Sequence, residues 1–340
     1  MKKVLVSFLA LSLMLSSLIF IAPQKAYAAR TITCSTTAQI HDALKNAMAG
    51  DTIIIKAGTY TGSTSTSGNT SAFFYSGKNG TSSARITLKG EDPANPPILT
   101  GTGYTSGYTF YLKGDYWTIS DIKFKTAKNG IMLDNANYNN LYKLEVYNIG
   151  YAGIHLRDGS SNNIVDSCNV HHTGKYSADY GEGVYVGSDY LKWTDNGGSY
   201  IKECDNNTIK NTHFGPYIYA EPIDIKEGTT GTIVENNTFD ATGIKGTNGG
   251  DSFIDAKGNN AIIRNNVGYQ NGATYLYDAF QVHQKFTGWG LNNNFYGNTV
   301  YFDSGNTTSY MVNAPSGSAK ASNNTRSPSG NMYTGNVTEY

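Results

Sequence analysis

Six short windows of the chain superpose without a gap, and this repetition limits the possible fold more than any other feature. They are Asn129–Asp134 (NGIMLD), Ala152–Arg157 (AGIHLR), Glu182–Gly187 (EGVYVG), Glu221–Lys226 (EPIDIK), Ser252–Lys257 (SFIDAK) and Asp278–His283 (DAFQVH). The third and fifth residues of each are apolar, which is the period of a strand with one buried face. The third-position residues Ile131, Ile154, Val184, Ile223, Ile254 and Phe280 lie 23, 30, 39, 31 and 26 residues apart. The shortest turn of the repeat is therefore about 23 residues, and longer turns carry loop insertions. A second strand register follows at NNLYKLEV, NNIVDSCNV, NNTIKNTHF, GTIVENNTF, NAIIRNNV and NNNFYGNTV, several opening with paired asparagines. Asn tolerates left-handed backbone and hydrogen-bonds along a stack, so it suits the bend between strands of successive coils. Sandwich strands need no fixed period of this length. The pattern predicts an all-β chain, a single-domain right-handed parallel β-helix spanning 29–340.

Smaller features complete that outline. Asp42–Met48 reads as a short amphipathic helix plugging the N-terminal end, followed by a turn and the first strand in GDTIIIKAGTY. The insertions Ser188–Asp205 and Thr242–Gly250 are expected beside the six windows as walls of a cleft. From about 304 to 340 the Ser-, Asn-, Gly- and Thr-rich text predicts an irregular last coil and tail. Residues 1–28 have the pattern of a secretory signal: Lys2 and Lys3, an apolar run from Val4 to Ala22, then Ala26-Tyr27-Ala28. The expected product is secreted and extracellular. Removing that segment takes away three lysines and no acids, leaving 23 basic against 26 acidic residues. Nucleic acid requires a basic surface that this balance does not supply, and no second apolar run is long enough to cross a bilayer. The expectation is a monomer whose partner is neither nucleic acid nor membrane. Of Cys34, Cys168 and Cys204 at most one pair can bridge, and Cys168 with Cys204 is the pairing considered.

Chemistry enters through the outward columns. The fourth window position gives Met132, His155, Tyr185, Asp224, Asp255 and Gln281, and the sixth gives Asp134, Arg157, Gly187, Lys226, Lys257 and His283. Asp over Asp and Lys over Lys in strands about 4.8 Å apart call for a counter-charge, either a cation or an anionic ligand. Glu221, Asp224, Asp255 and Glu182 carry the oxygen ligands that a hard cation such as Ca²⁺ prefers. The two glutamates have inward parity unless Gly183 and Pro222 bend the strand outward. The competing reading is a surface ladder in which these acids only pair with Lys226, Lys257 and Arg157.

GDTIIIKAGTY, ARITLKGEDPANPPIL and YWTISDIKFKTAKNGIML resemble the opening coils of the pectate-lyase-like superfamily of secreted parallel β-helix proteins. EPIDIK resembles the E-x-x-x-x-K segment of the chondroitinase B and alginate lyase family. That likeness implies Glu221 as a calcium ligand and Lys226 as the base. This chain has Tyr219 where the family has a second acidic ligand, and Lys257 where it has an arginine. The GHG and RIK motifs of polygalacturonase hydrolases and the RxPxxR pattern of the main pectate lyase family are absent.

The resemblance implies a calcium-assisted polysaccharide lyase that cleaves a 4-linked uronate polymer by β-elimination, with pectate first and alginate or a glycosaminoglycan next. Such chemistry needs a neutralised uronate carboxylate, a base at C5 and a donor for the leaving oxygen. Lys226 is the leading base and Lys257 the runner-up. Arg157 suits bidentate binding of the substrate carboxylate, His155 and His283 suit donation to the leaving oxygen, and Tyr185 suits stacking on a pyranose face. Two other functions compete. One is a glycoside hydrolase using Asp224 and Asp255 as its carboxylate pair, and the other a non-catalytic glycan-binding β-helix.

Overall fold

The computed structural model describes residues 28–340, so all but Ala28 of the expected signal segment lies outside the described residues. Each turn of the chain lays one strand on each of three parallel sheets, forming a right-handed β-helix. The sheet that carries the six windows begins at Ala72–Ser76 and Tyr108–Leu112, continues through the windows, and ends on Val312–Ser322. Its register is the one the repeat implies. Ile131, Ile154, Val184, Ile223, Ile254 and Phe280 are consecutive partners, as are Met132, His155, Tyr185, Asp224, Asp255 and Gln281. A slip of one residue in any coil would turn its apolar pair to water, so the inward pairs enforce the outward columns.

Inside, the third- and fifth-position side chains are fully buried and meet the apolar residues of the other two sheets. Phe214, Phe239 and Phe253 stack along the axis with ring centroids 5.4 Å apart. The paired asparagines divide their labour at the corners. In five of the pairs the first residue, Asn162, Asn206, Asn236, Asn265 and Asn323, is left-handed, with φ between 50° and 59°. The second points inward and accepts from the backbone of the coil before it. Asn163 Oδ1 takes the Asn139 N–H and Asn207 Oδ1 that of Asn163, each at 2.9 Å. A second ladder joins Asn237 to Asn266 at 2.9 Å, and Asn266 to Asn298 and Asn298 to Asn324 at 3.0 Å. These amides satisfy corner N–H groups that would otherwise be buried without an acceptor.

The N-terminal helix runs Thr37–Lys45 rather than Asp42–Met48. Thr36 caps it, its Oγ1 accepting the Gln39 N–H at 3.2 Å, and the buried face is Ile40, Ala43 and Leu44. The Ser/Thr text before Asp42 is thus the helix start itself. The tail expected to be irregular is ordered. Val312–Ser322 pairs first with the Phe280 strand and then, past a bulge between Ala314 and Ala319, with Asn293–Tyr296. Tyr333–Glu339 lies alongside it. Small apolar residues, Ala314, Ala319 and Ala321, fill the narrow core there, which is why hydrophobic patterning is faint. All three cysteines are free and buried, so the Cys168–Cys204 bridge does not form. Among the described residues no helix is long and apolar enough to cross a membrane.

The asparagine ladder gives a stability prediction. Asn266→Ala removes the acceptor of both the Asn237 backbone N–H and its side-chain amide, and should cost about 3 kcal/mol in urea unfolding. Asn265→Ala loads only left-handed strain and should cost about 1 kcal/mol. Equal losses would refute the division of roles.

Candidate active site

The outward face of the window sheet forms the floor of a trough. Asp224 and Asp255 stand on adjacent strands at the same register position, and Lys226 and Lys257 follow two residues later in each coil. The Lys257 ammonium lies between the two carboxylates, 2.7 Å from Asp224 Oδ1 and 2.8 Å from Asp255 Oδ2. Lys226 Nζ takes the other Asp224 oxygen at 3.0 Å, and His283 Nδ1 meets the other Asp255 oxygen at 2.9 Å. A continuous row results: Lys226, Asp224, Lys257, Asp255, His283. Its ends are open and its middle is not, since the Lys226 and His283 side chains are 12% and 25% exposed against 5% for Lys257.

Burial alone would lower the affinity of the Lys257 amine for its proton, but the charges of Asp224, Asp255 and Glu221 outweigh that and hold it well above the usual lysine range. Lys257 is therefore a fixed cation and cannot act as the runner-up base. Burial works to raise Asp255, yet the Lys257 ammonium and the His283 hydrogen bond hold it below the usual carboxylate range. A hydrolase would need one of the pair Asp224 and Asp255 to keep a proton. The row that surrounds Asp255 works against its being that acid.

Glu182 and Glu221 face the trough, resolving their ambiguous parity. Gly183 makes this possible: a Cβ there would stand 2.5 Å from the Pro222 carbonyl oxygen, so only glycine lets the coils approach at this bend. Single ligand atoms of Glu182, Glu221 and Asp224 all lie within 4.8 Å of one another, forming a buried acidic triad. Asp255 stands outside it. Burial first, and then the charge of Asp224, push Glu182 up to about 7 and Glu221 well above the carboxylate range. Neither glutamate has an ion-pair partner among the described residues. As a donor set for calcium the four acids do not fit. Asp224 and Asp255 already give all four oxygens to Lys226, Lys257 and His283, and two glutamates fall short of the six to eight oxygens the ion takes.

One and two coils earlier, a cleft of about 340 Å³ opens beside this row, lined among others by Asn129, His155, Arg157, Tyr180, Glu182 and Tyr185. Arg157 is oriented by Asp134, which takes its Nε at 2.6 Å and its Nη2 at 3.0 Å. Tyr111 donates to the same carboxylate at 2.7 Å. This leaves Arg157 Nη1 without a protein partner among the described residues. His155 donates its Nε2 proton to the Gly187 carbonyl at 2.8 Å, and burial, then Arg157, push it down to about 3. It stays neutral with its donor engaged, so it is not the expected donor to a leaving oxygen. Its ring braces Tyr185 edge-on at 4.4 Å between centroids. Tyr185 also carries the Lys226 ammonium 5.2 Å from its ring centre. Burial, then Asp224 and Glu182, raise the Tyr185 hydroxyl well above the usual phenol range, so it remains a proton donor.

Walls rise where insertions were expected. Ser188, Asp189, Lys192, Asp195 and Tyr200 from the 188–205 insertion line the cleft. Trp193 packs on Phe286 at 5.2 Å and faces Trp289 at 6.4 Å, tying that insertion to the loop after the Phe280 strand. On the other side Asn248 donates to the Asp179 carbonyl at 3.1 Å. Sequence reasoning missed Asp134 as the partner of Arg157. The signal was available, because the two occupy the sixth position of adjacent windows with opposite charge.

Residues 57–196 match the family described as right handed beta helix region. A crystal structure of alginate lyase from Paenibacillus sp. str. FPU-7 is similar at 47% identity and a TM-score of 0.85, covering 91% of this chain and 99% of that one. The alginate lyase AlyGC of the PL6 family matches at 20% identity and TM-score 0.61, over 87% of this chain and 38% of that chain. Pectate lyase Pel9A matches at 16% and 0.58, over 88% and 79%. These two share the fold. No curated protein sequence matches significantly. Fold and site together define a parallel β-helix polysaccharide lyase. Within that class, the chain belongs to the family represented by the Paenibacillus enzyme.

Glu182 gives the site a pH signature. Its folded value of about 7 lies above the ordinary 4.5, so the protein loses stability as pH rises between those values. Glu182→Gln should stabilise the fold by on the order of 3 kcal/mol at pH 8.5 and leave it unchanged at pH 4, read by thermal or urea unfolding. A pH-independent difference would place the carboxyl in a solvated setting.

Proposed function

We propose that this protein is a secreted alginate lyase in which Lys226 is the base and Tyr185 the acid. The observation that carries the reading is their placement. Where the Lys257 ammonium is 5% exposed between two carboxylates, the Lys226 ammonium is 12% exposed, pairs with one carboxylate and faces the ring of a Tyr185 held in its phenol form. Lys226, entering as the free amine, takes the proton from C5 of the uronate. The electron pair forms the C4–C5 double bond, the C4–O4 bond breaks, and O4 receives the Tyr185 proton. Arg157 Nη1 supports the substrate carboxylate, whose negative charge otherwise keeps the C5 proton weakly acidic. No step in this reading passes through a metal ion.

Alginate is placed ahead of pectate because the Paenibacillus relative, 47% identical over nearly its full length, is named an alginate lyase. The sequence alone favoured pectate, and nothing in the geometry supports that preference. Secretion rests on the 1–28 pattern.

The test incubates the mature protein with polymannuronate, polyguluronate and polygalacturonate while near-ultraviolet absorbance follows the unsaturated product. Absorbance should rise on one or both alginate polymers and stay at baseline on polygalacturonate. Lys226→Ala and Tyr185→Phe should each lower kcat by roughly 10²- to 10⁴-fold with an unchanged melting curve. A full rate in Lys226→Ala would move the base elsewhere. New reducing ends without absorbance would indicate hydrolysis.

A further inference from the structure

The acidic floor already contains a cation, and it belongs to the protein. Three observations meet at Lys257. Its ammonium bridges carboxylates of two adjacent coils at 2.7 and 2.8 Å, as a bridging metal ion would. Its side chain is 5% exposed, so it is built into the floor and out of a substrate's reach. The carboxylates around it are arranged for a positive charge, with Glu182 and Glu221 lacking ion-pair partners among the described residues and Asp224 within 4.8 Å of both. We propose that the Lys257 ammonium supplies the positive charge that a divalent cation would otherwise bring to this trough, so that deleting it opens a calcium site at Glu182, Glu221 and Asp224.

The electrostatics give the direction. An ammonium about 4 Å from a divalent ion opposes its binding, and lifting that charge at an effective dielectric of about 20 strengthens binding on the order of a millionfold. Removal also frees one oxygen of Asp224, which together with the two glutamates approaches the oxygen count calcium takes. The side chain that stands beside the base is then a positioning residue. It fixes Asp224, and Asp224 fixes Lys226 at 3.0 Å. The catalytic meaning of this arrangement rests on the lyase reading, whereas the metal binding it predicts can be measured without any substrate.

The experiment strips the full mature protein with a chelator and titrates it with calcium chloride, following heat and melting temperature. The unsubstituted protein should show no saturable calcium binding at the floor and no chelator effect on its melting. Lys257→Ala should bind one equivalent on the order of a millionfold more tightly. Calcium should raise its melting temperature, and adding Glu221→Gln should abolish the effect. Lys257→Met, which keeps the apolar stem, should bind in the same sense. One equivalent bound by the unsubstituted protein and lost in Glu221→Gln would overturn the proposal, because ion and ammonium would then coexist. Folded Lys257→Ala and Lys257→Met that gain no calcium binding would overturn it equally. Should neither variant fold, the unsubstituted protein and Glu221→Gln decide the matter. If the metal titration succeeds while alginate is untouched, the substrate assignment fails and the cation assignment stands.

Discussion

Stacking one strand per coil at a spacing of about 4.8 Å sets residues of the same window position side by side, and everything distinctive about this protein follows from that. On the inner face the constraint is easily met, because Ile over Ile and Phe over Phe is favourable packing. On the outer face it brings Asp224 against Asp255 and so demands positive charge between them. The chain supplies it from within the stack. Lys257 reaches back across one coil, which turns a like-charge ladder into an alternating row.

That row separates carboxylates of similar chemistry into two populations. Asp255 is pulled below the ordinary range by an ammonium and an imidazole in direct contact. Glu182 and Glu221 are as deeply buried but touch neither, so desolvation and the Asp224 charge drive them the other way. Burying an unpaired ionised carboxylate is costly, and the unpaired acids answer by holding protons. A floor with fixed cations and neutral acids offers an anionic sugar far less repulsion than the count of acidic residues suggests.

The sequence made the strands, their register and the outward columns legible because a two-residue period buried on one side leaves no freedom of register. The pairs Asn162–Asn163, Asn206–Asn207 and Asn265–Asn266 were recognisable as corners, since Asn offers left-handed tolerance at the first position and an acceptor at the second. Three things were not legible. The helix boundary at Thr36 depended on a capping bond that Ser/Thr-rich text does not locate. The last coil was masked by small residues, whose burial leaves little hydrophobic pattern. The reach of Lys257 toward Asp224 is diagonal between coils, whereas column reading compares only residues at the same position.

This diagonal explains why two lysines in identical window positions have opposite fates. Each lies beside the fourth-position residue of its own coil and that of the coil before. For Lys257 these are Asp255 and Asp224, two carboxylates that lock its proton in place. For Lys226 they are Asp224 and Tyr185, one carboxylate and an aromatic face. A cation between one carboxylate and a ring is held more weakly than one bridging two carboxylates, so Lys226 is the less tightly held of the two lysines. The tyrosine that stands in the aspartate column at position 185 is thus what separates the surroundings of Lys226 from those of Lys257 in this stack.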